Sequence, residues 1–187
     1  MEEKKEVLNK HTPECLHRLV ICPEVHCQKK IIISELENHF VENTETHGIN
    51  EPFLNTTLWM EEKSIVDTDD IYWETRYMIE DSCRFYRIFA KRNNLWYTWI
   101  VGEMSQKQAA LWNFSVKIEK NGMSLETRGK VSPIDLTVDR ILNHGCYLSM
   151  TTATMKRLME KKSEDDGGSI SGSIKWNLCL EYTLNKA

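Results

Sequence analysis

The chain has 187 residues, of which 41% are hydrophobic and 28% are charged, and its formal net charge is -4 at pH 7. This length allows one domain of ordinary size with a small appendage, and the hydrophobic fraction is sufficient for a buried core. The acidic balance argues against nucleic-acid binding driven by bulk charge, and no run of roughly eighteen apolar residues predicts a membrane span.

The N-terminal residues 1–10 are polar and are predicted to be disordered. They lack the apolar stretch of a signal peptide. Cysteines clustered with histidines in a chain without a secretion signal indicate metal ligation, and dispersed cysteines indicate reduced, buried thiols. We therefore expect a cytoplasmic or nuclear protein, with Cys83, Cys146 and Cys179 as buried thiols.

Residues 11–48 form a predicted zinc-finger region. Cys22 and Cys27 are separated by four residues, His39 follows after eleven more, and His47 after a further seven. Two thiolates and two imidazoles are the donor set of a closed, tetrahedral zinc site, in which the metal stabilises the fold and has no open position for catalysis. These four residues are the predicted ligands of a structural zinc ion. Further candidate ligands are His11, Cys15 and His26.

Short elements are predicted around these ligands. The apolar run 30–33 indicates a strand, and the segment Ser34-Glu-Leu-Glu37 fits a capping box that would start a helix over residues 35–42. This helix would carry His39. The predicted order is therefore a cysteine loop, a strand and a helix with a histidine, which is a small α/β zinc finger.

Residues 48–55 are interpreted as a linker, and residues 56–187 as a β-rich domain. Alternating apolar residues with β-branched and aromatic side chains predict strands, and Asn93-Asn94 and Asn121-Gly122 predict tight hairpins. The predicted strands are Thr56–Met60, Tyr72–Glu80, Phe85–Arg92, Leu95–Met104, Trp112–Lys120, Ser124–Arg128, Cys146–Met150 and Ile170–Leu184. Many short strands at regular spacing favour a mainly β fold, either a sandwich or a barrel.

One helix is predicted within the C-terminal half of this domain. It covers residues 151–162, with threonines at its start and Lys161 and Lys162 at its end, where cations interact favourably with the helix dipole. An acidic loop, 163–168, follows. No Ser/His/Asp pattern, phosphate-binding loop or interpretable carboxylate pair is present, so the expected function is binding and no catalytic residue is assigned.

The motif His11-Thr-Pro-Glu-Cys15, followed by Cys22-Pro, Cys27 and Ser34-Glu-Leu-Glu-Asn-His39, resembles the TRAF-type zinc finger of the seven-in-absentia ubiquitin ligases. The segment from Trp99 to Phe114, with its Lys-Gln-Ala turn, and the Asn121-Gly122 hairpin resemble the substrate-binding domain of the same family. The resemblance implies a TRAF-like antiparallel β-sandwich with one helix in its C-terminal half. It departs from the family in lacking a RING and in its ligand spacing, so the fourth ligand is either His47 or His26.

The resemblance also implies a function. Seven-in-absentia domains capture degron peptides of the Val-x-Pro type beside an edge strand and pair as dimers. Carried over by position, the peptide-binding residues are Thr56, Leu58, Met60, Tyr77 and Ile79. The expected protein is the substrate-recognition part of a ubiquitin ligase, homodimeric or heterodimeric. The alternative is a RING-less adaptor that dimerises with itself or with such a ligase, and a nucleic-acid-binding finger is a distant third.

Overall fold

The computed structural model of the chain describes residues 15, 17–24, 26–47, 54–61, 65, 71–72, 75–120, 122–144, 147–162 and 175–187. The predicted N-terminal disorder, most of the linker and the acidic loop lie outside these residues. The strands are β1 (Leu19–Ile21), β2 (Lys30–Ile32), β3 (Asn55–Glu61), β4 (Ile71–Tyr72), β5 (Arg76–Glu80), β6 (Cys83–Arg92), β7 (Leu95–Gly102), β8 (Trp112–Lys120), β9 (Met123–Lys130), β10 (Ser132–Pro133), β11 (Leu148–Thr151), β12 (Glu160–Lys162) and β13 (Lys175–Lys186). The α-helices are α1 (Leu36–Glu42), α2 (Gln106–Ala109), α3 (Val138–His144) and α4 (Thr152–Leu158).

The strands form two large sheets and one small one. In sheet I, β6 and β7 are central, β4 and β5 pair with β6, and β10 and β11 pair with β7. In sheet II, β13 pairs with β12, β8 and β3, and β8 also pairs with β9. Strand β3 lies on the side of β13 opposite β8. The pairing is antiparallel except between β10 and β7. The predicted mainly β, antiparallel sandwich is therefore confirmed.

The main core lies between the two sheets and follows from the two-residue period of a strand. Phe85 and Phe89 of β6 belong to the same buried cluster as Trp112 and Phe114 of β8 and Leu180 of β13. Helix α4 adds Met155 and Leu158 to it. The connection from β9 to β10 contains a single residue, Val131, and crosses between the sheets at one side of the sandwich. The edge strands β3 of sheet II and β4 and β5 of sheet I therefore lie at the other side.

A second core lies on the outer face of sheet I. The residues of β6 that alternate with Phe85 and Phe89 are Tyr86, Ile88 and Ala90, and they are buried with Trp99 and Val101 of β7. Two parts of the chain cover them: the finger, which consists of β1, β2, α1 and the turns between them, and the segment from Ile134 to Ile141, which leads into α3. Sheet I is therefore buried on both faces, and β6 is buried along almost its whole length.

Two groups of contacts hold the finger on sheet I. The ring of Phe40 from α1 lies 5.3 Å from the rings of both Tyr77 and Tyr86, measured between centroids. The guanidinium of Arg84 bridges the finger and the sheet, because Nη2 lies 2.8 Å from Glu37 of α1 and Nη1 lies 2.6 Å from Glu103. Aromatic packing and a partly buried ion pair thus act side by side.

The capping box predicted at Ser34 is wrong. Residues Ile33–Glu35 form a 3₁₀ turn, and the residue before α1 is Glu35, which makes no side-chain cap. Glu37 was expected to bond back to the helix start, but its carboxylate pairs with Arg84 of sheet I. A capping box does exist at Ser105 and Gln108, where it begins α2.

The C-terminal elements also differ from the prediction. Thr151 caps α4 as expected, but the helix ends at Leu158, and Lys161 and Lys162 lie in β12. The described residues add elements that were not predicted, namely α2, α3, β1, β10 and β12. Cys179 is exposed rather than buried, because it alternates with the inward-facing Leu178 and Leu180 of β13. Cys83 is half-buried, and Cys146 lies outside the described residues.

None of the helices formed by the described residues combines the length and the apolar character required to cross a membrane.

The position of Phe40 predicts a large effect of its truncation. Phe40 is 1% exposed, and replacing a buried phenylalanine with alanine removes apolar contacts and leaves a cavity that costs about 3–5 kcal/mol. We expect Phe40→Ala to lower the free energy of unfolding in urea by that amount. The matched control is Val41→Ala on the neighbouring residue, which is 60% exposed and should change stability by less than about 0.5 kcal/mol. Equal effects of the two variants would contradict the docked finger.

Candidate metal centre

The finger places its four candidate ligands, two cysteines and two histidines, on two pieces of chain. Cys22 and Cys27 lie in the loop between β1 and β2, here called the metal loop (residues 22–29). This loop is closed by backbone hydrogen bonds from Cys22 N to Lys29 O at 2.8 Å and from Cys27 N to Glu24 O at 3.0 Å. His39 lies on α1, and His47 lies in the turn after it, where its backbone N–H donates to Asn43 O at 2.9 Å.

The four side chains converge. The ligand atoms of Cys22, Cys27, His39 and His47 all lie within 4.8 Å of one another, so this group could hold a metal ion. Cys27 Sγ lies 3.3 Å from His39 Nε2, and the two imidazole rings are 4.6 Å apart between centroids and nearly perpendicular. Such spacing requires only a small contraction to bring four donors around one ion.

The atoms around the histidines favour the same interpretation. His47 is buried, and its Nε2 has no hydrogen-bond partner among the described residues, which is costly for a buried polar atom unless a ligand satisfies it. Its other ring nitrogen, Nδ1, lies 3.0 Å from the hydroxyl oxygen of Thr46, which can accept a hydrogen bond from the N–H at Nδ1. A hydrogen bond of this kind selects the tautomer in which Nε2 carries a lone pair for a metal.

Asn43 also supports the geometry of the site. Its amide Nδ2 donates to the backbone oxygen of His39 at 2.7 Å and lies 3.4 Å from His39 Nδ1. Because Asn43 O also accepts the N–H of His47, this residue connects both histidines. Asn43 and Thr46 therefore orient the imidazoles without ligating a metal themselves.

The protonation of the four side chains follows from their burial. Burial lowers the pKa of His39, and the neighbouring charges of His47 and Lys29 lower it further. Burial also lowers the pKa of His47, against the charge of Glu24. Both imidazoles are therefore neutral at pH 7, as ligation requires. In the metal-free protein, burial chiefly raises the pKa of Cys22 to about 12, so binding of a cation must displace its proton.

The other candidate ligands do not join this group. Cys15 is half-buried and His26 is exposed, and neither belongs to the metal-ligating group that the described residues form. His11 lies outside the described residues. Between the two candidates for the fourth ligand, His47 is the residue that the fold brings to Cys22, Cys27 and His39.

The residues predicted for peptide binding lie on two edge strands. Thr56, Leu58 and Met60 are buried on the inner face of β3, with Leu58 only 6% exposed. Tyr77 of β5 is buried under the finger, and Ile79 is 48% exposed. The pattern of β3 places Thr57 and Trp59 on its outer, exposed face instead. The strand-edge position remains a prediction, and the side chains of residues 56, 58 and 60 are part of the core.

Glu24, Asn43 and Thr46 were not identified from the sequence. Glu24 is buried in the metal loop, where its carboxylate accepts the backbone N–H of Thr75 at 3.1 Å. A carboxylate between two cysteines has no recognisable spacing signal, because its partner lies 51 positions away in the sequence. For Asn43 and Thr46, the only signal in the sequence is that both are polar residues between His39 and His47.

In the comparisons with known proteins, no family model matches the chain, and no curated protein matches its sequence.

The geometry predicts which histidine completes the site. Structural zinc sites contribute about 10–16 kcal/mol of apparent binding free energy through four ligands, so the loss of one ligand should weaken binding by about a hundredfold or more. We expect this loss in His47→Gln and an unchanged affinity in His26→Gln. Titration with Co²⁺, followed by its visible absorption and by competition with a chelator, measures both. A greater loss in the His26 variant would contradict the assignment.

Proposed function

We propose that this chain is a non-catalytic protein-interaction module, in which a structural zinc finger stabilises a β-sandwich that receives an extended peptide at a sheet edge. The observation that carries the proposal is the Cys22, Cys27, His39 and His47 group, docked on a sandwich whose edge strand β3 has a free side among the described strands. The described residues around this group could bind an ion and pack the finger on sheet I. The role that we assign to the ion is therefore structural.

Zinc is the metal that the donor set favours. Cysteine thiolates and histidine imidazoles bind zinc tetrahedrally, whereas oxygen donors suit magnesium and calcium. Four protein ligands complete the coordination of a tetrahedral ion and leave no position for substrate. Among its described residues, the finger contains two three-residue strands, a 3₁₀ turn and a seven-residue helix, so it has little core of its own. Metal binding supplies the missing folding free energy in such small units.

The two edges of sheet II differ in their suitability for a peptide. An exposed edge strand pairs readily with another chain unless charged side chains prevent it. The edge strand β9 carries Glu126, Arg128 and Lys130 on its exposed face. Strand β3 carries no charge before Glu61, and its exposed face includes Trp59, which is 48% exposed. A peptide added to β3 would gain main-chain hydrogen bonds and one aromatic contact.

The resemblance to the seven-in-absentia family extends this proposal to a partner class. A peptide bound at β3 would be a degron-type segment, and the chain would be the substrate-recognition part of a ubiquitin ligase whose RING is supplied elsewhere, in the cytoplasm or nucleus. The alternative function is that of an adaptor that pairs with itself or with such a ligase. Light scattering distinguishes oligomers, and a monomer at tens of micromolar would count against self-pairing.

The metal assignment is tested by elemental analysis. We expect protein purified without added metal to carry one zinc ion per chain, and we expect removal of zinc by a chelator to lower the urea midpoint of unfolding. The control is addition of Mg²⁺ to the stripped protein, which should not restore the midpoint because Mg²⁺ prefers oxygen ligands. A chain that holds no zinc, and whose stability a chelator does not alter, contradicts a structural zinc finger.

Peptide binding is tested on the exposed face of β3, because a charge at Leu58 would disrupt the core. We expect a Val-x-Pro peptide to shift the amide resonances of β3, and Trp59→Lys to weaken its binding by about tenfold through loss of an aromatic contact. Ser124→Lys on the other edge strand, β9, is the matched control and should bind normally. If the peptide shifts no β3 amides, or if both variants bind as the parent does, the β3 site is ruled out.

A further inference from the structure

The metal loop is connected directly to an edge strand of the sandwich. Glu24 lies between Cys22 and Cys27 and is 2% exposed. Its Oε2 atom accepts the backbone N–H of Thr75 at 3.1 Å. Thr75 is buried and immediately precedes β5, so this hydrogen bond fixes the point at which the edge strand begins. A hydrogen bond to a buried carboxylate is charge-assisted and stronger than one between neutral groups.

The second histidine reaches the same strand through aromatic contacts. The ring of His47 lies 5.2 Å from the ring of Phe40, and Phe40 lies 5.3 Å from Tyr77 of β5. The ring planes of both pairs are steeply inclined, at 86° and 71°, which is the edge-to-face arrangement that aromatic pairs favour. The finger therefore contacts β5 at two points: at Thr75, which directly precedes the strand, and at Tyr77, its second residue.

Strand β5 is an edge strand of sheet I. It is five residues long, and the only strand paired with it among the described residues is β6. It joins β6 through Asp81 and Ser82, whose φ angles of 47° and 60° form a tight turn. A short strand with one neighbour belongs to the part of a structure that opens most easily, so contacts from outside the sheet decide how ordered it is.

We infer that metal binding in the finger orders the edge strand β5, with Glu24 as the positioning residue that transmits it. An ion bound by Cys22 and Cys27 fixes both ends of the segment that carries Glu24. This coupling rests on the proposed metal site but does not require a peptide.

Hydrogen–deuterium exchange tests the coupling in the full chain. With Zn²⁺ bound, we expect slow exchange of the amides of residues 76–80, and removal of Zn²⁺ should accelerate them by about tenfold or more, the effect of losing a hydrogen bond to a charged group. The edge strand β9 is the internal reference, because it also pairs with a single strand among the described residues and belongs to sheet II, away from the finger. Its exchange should remain unchanged.

Variants of Glu24 separate the transmission from metal binding itself. Glu24→Gln and Glu24→Ala keep all four metal ligands, so Zn²⁺ should still bind, while β5 exchanges faster in both and most in the alanine variant. Glu45→Ala, which removes an exposed acid of the finger, should behave as the parent. If Zn²⁺ binds and the exchange of β5 is unchanged by removal of the metal, the coupling is overturned. If the exchange of β5 is unchanged in the Glu24 variants, transmission through Glu24 is overturned. If Zn²⁺ does not bind, the metal site and the coupling fall together, whereas the peptide site is judged separately on β3.

Discussion

The structure depends on one constraint: the outer face of sheet I must be covered. Strand β6 carries large apolar residues on both of its faces, so neither face can be left in water. Phe85 and Phe89 face sheet II, whereas Tyr86 and Ile88 face the finger. Burial of apolar area is the dominant favourable term in folding. The finger and the segment from Ile134 to Ile141 therefore form a third layer of the fold, because sheet II covers only one face of sheet I.

This constraint gives the metal group a role larger than folding a small appendage. Cys22 belongs to the same buried cluster as Trp99 and Val101, so a candidate metal ligand is also part of the packing against sheet I. Arg84 adds a polar link, because it pairs with both Glu37 of the finger and Glu103 of the sheet. Removing a carboxylate partner from this partly buried arginine costs stability, because its desolvated charge is then less well compensated. Packing and ion pairing thus stabilise the interface at which the candidate metal group also lies, and weakening either of them exposes the same surface.

The sequence was sufficient for features that depend on local pattern. The spacing of Cys22, Cys27, His39 and His47 identified the residues that meet, and alternation located β6, β7 and β8 closely. Features decided by distant contacts were not predictable. The segment Ser34-Glu-Leu-Glu37 matches the sequence pattern of a capping box. Its Glu37 instead pairs with Arg84, which lies far away in the sequence. The helix after Thr151 ends at Leu158 because the following residues pair with β13 as a strand.

For strand β3, the sequence pattern predicts which residues share a face, but it does not predict which face is exposed. Alternation in the segment from Asn55 to Glu61 establishes that Thr56, Leu58 and Met60 share a face, but it does not say which face is buried. Pairing with β13, where Leu58 lies opposite Leu178, assigns that face to the core. A peptide at this edge must therefore be recognised by main-chain groups and by Thr57 and Trp59. Specificity at such a site depends on the exposed residues, which are those that the core leaves free to vary.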